Sequence, residues 1–192
     1  SVSYREFGER ARTGDLLLTS NPSPFTVSRV VTRSPWSHCG ILVVAPGGEL
    51  LEWSSHTEME QVMNAAGERG RGGPQLVSLE YLAADNGGVF WRPVGGFGPE
   101  ERSRLLAVVE ALAHATPFSH LGELGAYLGG PFASALNGSS AGVACSQLVA
   151  LSYAAAGAIA VDRHVSRFAP CAFAPGGDAK WLLPPDPRAY RV

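Results

Sequence analysis

A globular domain containing both β-strands and α-helices is what the sequence predicts, and three observations lead there. The composition, 45% apolar against 17% charged over 192 residues, belongs to chains that bury a core. The stretch "SHCGILVVAPGGELLEW" reads as a buried hairpin, because apolar runs flank a turn-forming Pro-Gly-Gly. Two later stretches, "PEERSRLLAVVEALA" and "CSQLVALSYAAA", have the length and spacing of helices. Domains commonly hold roughly 100 to 200 residues, so residues 1–192 are expected to form one.

Taken in order, "TGDLLL" pairs a turn with an apolar run and predicts a first strand over 13–18. Residues 23–34 offer Ser23 as an N-cap and Pro24 at the first helical position, which predicts a short helix. The hairpin follows, with Gly47 and Gly48 expected to supply the positive φ angles of its turn. Residues 54–73 are polar and glycine-rich and read as a surface loop, the kind of segment that often covers a site. "PQLVSLEYL" predicts a strand or short helix and "GGVFWRPV" a strand. Residues 98–115 predict a helix, with Pro99 and two glutamates in its first turn and Leu105, Val108, Val109 and Leu112 along one face. A small-residue connector over 116–142 leads to a helix that opens at Cys145 and closes on Gly157. The proline-rich tail is expected to be extended, and no repeat or second domain is visible.

The balance of residues excludes several classes of partner. A net charge of −2 and a pI near 6.2 give no bulk attraction for nucleic acid or anionic lipid. Three cysteines, at 39, 145 and 171, are an odd number without a CxxC pair, so neither a disulfide framework nor a four-ligand zinc site is expected. Reduced thiols favour the cytoplasm, and residues 1–12 lack the apolar run of a signal peptide, although a chain opening on serine leaves export followed by processing open. The uncharged stretch 124–161 is broken by Gly129, Gly130, Pro131 and "NGSS", which predicts a buried helix rather than a transmembrane segment. Histidines 38, 56, 114, 120 and 164 make no HxxxH-type helical face, so no metal site and no cofactor are expected.

Two residues invite chemistry. Cys145 falls in the first turn of its helix, where unpaired N–H groups and the helix dipole favour a thiolate. On its own a cysteine in an apolar helix is commonly a small core residue. His38 changes that balance, because a thiol nucleophile needs a base, and the base needs a polar group to hold its other nitrogen. Alternation places His38, Gly40 and Leu42 on one face of the strand and Cys39, Ile41 and Val43 on the other. Gly40, with no side chain, lets another group approach closely on the histidine's face. For the third group, Glu52 is a carboxylate among apolar neighbours, and His56 is the second choice. A four-residue turn sets His38 opposite residue 55 and a three-residue turn sets it opposite His56, so Glu52 is expected to need a wide loop or a bulge. Cys39 and Cys171 read as structural.

The segments "GDLLL" (14–18), "SPWSHCGIL" (34–42), "LLEW" (50–53) and "CSQLVALSYAAAG" (145–157) resemble the permuted branch of the NlpC/P60 papain-like superfamily, the YiiX/YaeF-like proteins related to lecithin retinol acyltransferase. The histidine strand here precedes the cysteine helix, the inverted order of that branch. The resemblance implies a circularly permuted α+β fold, an antiparallel sheet packed by the cysteine helix. It further implies Cys145 as nucleophile, His38 as base and Glu52 as third polar residue. Such a protein is a cysteine-dependent hydrolase or acyltransferase, with a peptide- or acyl-containing substrate and a membrane-surface substrate left open. The oxyanion would be met by the Cys145 backbone N–H, with Ser37 or Ser146 as a polar helper, and Trp36 and Trp53 would wall the groove. Trp53 directly after Glu52 and the glycine-rich 64–73 depart from the family pattern. A catalytically silent binding or assembly module is the alternative.

Overall fold

The computed structural model describes residues 1–20, 34–56, 63–69, 72–80, 82, 88–113, 145–162 and 168–192. Its elements, in chain order, are α1 (Tyr4–Arg10), β1 (Leu16–Thr19), β2 (His38–Val44), β3 (Leu50–His56), β4 (Gly73–Ser78), β5 (Val89–Arg92), α2 (Pro99–Ala113), α3 (Cys145–Ala156), β6 (Ile159–Ala160), α4 (Pro170–Phe173), β7 (Lys180–Trp181) and β8 (Tyr190–Arg191). Six strands form a sheet in the order β4-β3-β2-β1-β5-β8, with every neighbouring pair antiparallel. The expected α+β architecture, an antiparallel sheet with helices, is therefore present.

Both faces of this sheet are covered, which is why β1 is buried at every position instead of alternating. On one face Leu16, Leu18, Cys39, Ile41 and Trp53 pack with Leu148, Val149 and Tyr153 of α3. On the other, Leu17, Leu42, Val77 and Trp91 pack with Phe7 of α1. Two buried polar bonds fix α3 to the first face: Trp53 Nε1 donates to Ser152 Oγ at 3.0 Å, and Tyr153 Oη donates to the Gly14 carbonyl at 3.0 Å. The helix ends as its glycine predicts: Gly157 has φ +78°, and the N–H of Ala158 reaches the Tyr153 carbonyl at 2.7 Å. That pattern closes off the last carbonyls in a left-handed cap.

Several expectations need correction. The hairpin turn has positive φ at Gly48 and not at Gly47. Ala45 N–H bonds the Glu49 carbonyl at 2.9 Å, so three residues make the turn and Leu42 stands opposite Glu52. Residues 54–56, expected in a surface loop, continue β3 and pair with β4. Their polarity is absorbed locally, as the buried Ser54 hydroxyl donates to the Cys39 carbonyl at 2.8 Å. The tail is not purely extended but contains α4 and two short strands. The helix expected over 23–34 and the connector 116–142 lie outside the described residues, apart from Ser34. Among the described residues no helix is long and apolar enough to cross a membrane.

Candidate active site

His38 opens β2 and Cys145 opens α3, the helix laid against β2 and β3, so two segments distant in sequence are packed together. The His38 side chain is 16% exposed while that of Glu52 is 1% exposed, and Nε2 of the first lies 3.2 and 3.3 Å from Oε1 and Oε2 of the second. No bulge is needed for this approach. Continuing the β2–β3 register sets His38 opposite His56, and the Glu52 side chain reaches back diagonally across Gly40. A Cβ placed on Gly40 would clash with Glu52 Cγ and Oε1. The missing side chain is thus filled by the carboxylate.

Glu52 serves both histidines. His56 Nε2 lies 3.2 Å from Glu52 Oε2, and the two imidazole rings are 4.9 Å apart at an interplanar angle of 36°. The sequence left Glu52 and His56 as alternatives for one position, and both side chains stand beside the His38 ring. Burial alone would raise the Glu52 pKa, but His38 and then His56 outweigh it and bring the carboxyl down to about 2.

With Nε2 of His38 facing Glu52, Nδ1 is the nitrogen not engaged by the carboxylate. Burial of His38 disfavours its charge, but the Glu52 carboxylate and the Cys145 sulfur together hold its pKa well above the usual value. The Cys145 thiol is held well below the usual range, first by a hydrogen bond from the Cys39 thiol, against burial, and then by His38 and the Cys39 backbone. Cys39, fully buried, is pushed well up by burial and then by its charged neighbour. The alternation that turns Cys39 away from His38 turns it toward the face covered by α3.

The remaining residues singled out from the sequence divide. Ser37 and Ser146 both stand beside the pair in sequence, but their hydroxyls are engaged by carbonyls, Ser37 Oγ with Thr19 at 3.3 Å and Ser146 Oγ with Phe168 at 2.7 Å. Trp36 is half-buried and meets Phe90 edge-on at 5.0 Å. Trp53 does not wall a groove: it is 0% exposed, because alternation from Glu52 points it into the core under α3. Cys171 lies on α4. His114, His120 and His164 fall outside the described residues.

No metal site was expected, yet ligand atoms of His38, Glu52 and His56 lie within 4.8 Å of one another. Two imidazoles and a carboxylate are a donor set that suits zinc and similar divalent ions. Glu52 Oε1 is a buried oxygen without a hydrogen bond, which also fits a cation. The helix-spacing argument missed this group because its members come from two neighbouring strands.

These features define an α+β protein with a cysteine at a helix start, facing a histidine–glutamate–histidine cluster on a hairpin. The fold is similar to that of the crystal structure of metalloprotein YiiX from Escherichia coli O157:H7 (DUF1105), with a TM-score of 0.50 and 19% sequence identity. The match covers 76% of this chain and 66% of that one, so this chain spans less than two thirds of its length. No family model and no curated protein matches the sequence.

Proposed function

We propose that this chain is a cysteine-dependent hydrolase or acyltransferase of the permuted NlpC/P60 papain-like kind, one domain over 1–192, acting on an amide, ester or thioester. The observation that carries the reading is the His38 imidazole held 3.3 Å from the buried Glu52 carboxylate, with the Cys145 thiol at the start of α3 drawn well below its usual pKa in part by His38. In the first step the Cys145 thiolate attacks the carbonyl carbon, and His38 gives its proton to the departing nitrogen, oxygen or sulfur. In the second, neutral His38 takes a proton from water or another acceptor, which attacks the thioester and frees Cys145. The Cys145 backbone N–H at the start of α3 is the oxyanion donor, since the Ser37 and Ser146 hydroxyls already face carbonyls. Glu52 holds the imidazolium and fixes its orientation, and Trp36 offers apolar surface beside the pair.

The test is the pH dependence of iodoacetamide alkylation, followed peptide by peptide. Labelling of Cys145 with an apparent pKa far below about 8.5, lost in His38→Ala, supports the reading and justifies screening amide, ester and thioester substrates. A Cys145 that labels no faster than Cys171 favours the silent binding module instead.

A second reading, a divalent metal site, is favoured by the His38–Glu52–His56 donor set and by the description of the similar structure as a metalloprotein. Those three side chains would hold the ion, and the ion would polarise a carbonyl and lower the pKa of bound water. Elemental analysis of the purified protein decides: about one zinc-like ion per chain, lost in His56→Ala, supports it, and a metal-free protein that retains fast Cys145 alkylation rejects it.

A further inference from the structure

His56 has no part in the acyl-transfer steps above, although its imidazole is buried against the group that steadies His38. Its side chain is 3% exposed, and its Nε2 lies 3.2 Å from Oε2 of Glu52.

The strands explain how these side chains converge. Glu52 and His56 share a face of β3 but stand roughly 13 Å apart along the strand, so each must lean toward the other for the contact to form. What lies between them is small. The register carried on from Ile41–Trp53 sets Gly40 opposite Ser54, and the Ser54 hydroxyl is turned onto the Cys39 carbonyl at 2.8 Å. The carboxylate fills the room over Gly40 and meets, beyond it, the directly opposite pair His38 and His56, whose ring centroids are 4.9 Å apart.

We propose that His56 is a positioning residue for the thiol chemistry: its Nε2–H holds one oxygen of Glu52 and so keeps the carboxylate on His38 Nε2. This deepens, and rests on, the reading of Cys145 and His38 as the reactive pair. A glutamate side chain turns about several bonds, and one contact with a partly exposed ring leaves it free to swing. A second anchor removes that freedom. His56 is the fixed end, since 3% of its side chain is exposed against 16% for His38. It acts through Glu52 and not on the substrate.

The experiment follows Cys145 alkylation by iodoacetamide, peptide by peptide, in wild type, His56→Phe, His56→Gln, Glu52→Gln and the double variant His56→Phe/Glu52→Gln. Each is dialysed against EDTA, so that no ion stands between the side chains, and calorimetric Tm values identify folded protein. Phenylalanine keeps the bulk of the ring without its N–H, and glutamine returns a donor. His56→Phe is expected to cut the Cys145 rate by about the factor that Glu52→Gln does, and His56→Gln to recover most of it. The double variant should react no more slowly than Glu52→Gln alone, because the two residues act as one unit. A wild-type rate in His56→Phe, no recovery with glutamine, or a loss that adds to that of Glu52→Gln overturns the positioning role alone. A nitrogen-15 spectrum of the wild-type histidines needs no variant to fold: a proton on His56 Nε2 is expected, and a bare Nε2 likewise overturns the role. Wild-type Cys145 that alkylates no faster than Cys171 overturns both this inference and the reading beneath it.

Discussion

The Glu52 carboxylate lies in the space that a side chain at Gly40 would occupy. Glycine at 40 is therefore a condition of the contact between Glu52 and His38, two residues on different strands and out of register with one another. Gly40→Ala is expected to push the carboxylate off the imidazole. Overpacking of this kind costs about 1–3 kcal/mol, and Cys145 alkylation should slow along with the loss of stability. A urea midpoint and an alkylation rate both equal to wild type would show that Glu52 has another route to His38.

Glu52→Gln keeps the volume and removes the charge. Because the carboxylate raises the His38 pKa, its loss should lower it, and the alkaline limb of any Cys145-dependent rate should move to lower pH. The thiolate–imidazolium form exists above the depressed Cys145 pKa and below the raised His38 pKa, so the active window narrows from its upper side. The pH profile of alkylation or turnover checks this, and an upper limb that stays in place counts against Glu52 as the group that charges His38.

Acid stability follows from the same carboxyl. Its folded pKa of about 2 lies below the usual 4.5. The stabilisation is therefore present in full above the usual value and is lost as pH falls through the folded one. Its size is on the order of 3 kcal/mol, shared between the His38 and His56 pairings. Urea unfolding of wild type between pH 5 and 2 should show this slope, and Glu52→Gln should be nearly flat there; parallel slopes would remove Glu52 from the acid transition.

Ser152→Ala removes the partner of the buried Trp53 Nε1–H. An unsatisfied buried donor costs about 1–3 kcal/mol. Differential scanning calorimetry should show a lower Tm, with Cys145 alkylation in the folded protein unchanged, because the bond anchors the middle of α3 and not its first residue. Alkylation that falls with the Tm would place Ser152 in the site's own support.

Much of this site could be read from the sequence. Cys145 at the helix start, Gly157 at its end, and His38 at the head of an alternating strand are local signals, and each element carries them. Glu52 was chosen for its burial among apolar residues, but the route by which it reaches His38 was misjudged. Register arithmetic compares residues directly opposite, and a side chain lying diagonally over a glycine escapes it. Cys39 was missed for the reverse reason: alternation identified its face correctly, but only the docking of α3 shows what that face meets. Residues 54–56 looked like a loop because two serines and a histidine are polar, but the Ser54 hydroxyl is met by the Cys39 carbonyl of β2 and His56 by Glu52 of its own strand.

One consequence lies in how the site is divided between segments. His38, Glu52 and His56 all belong to a single hairpin, a short-range unit that can form early, whereas Cys145 arrives only when α3 seats on the sheet through Trp53–Ser152 and Tyr153–Gly14. Reactivity at Cys145 is therefore a readout of tertiary assembly: a local opening that lifts α3 while the hairpin persists would extinguish the thiolate, so its alkylation rate tracks the docking equilibrium of that helix.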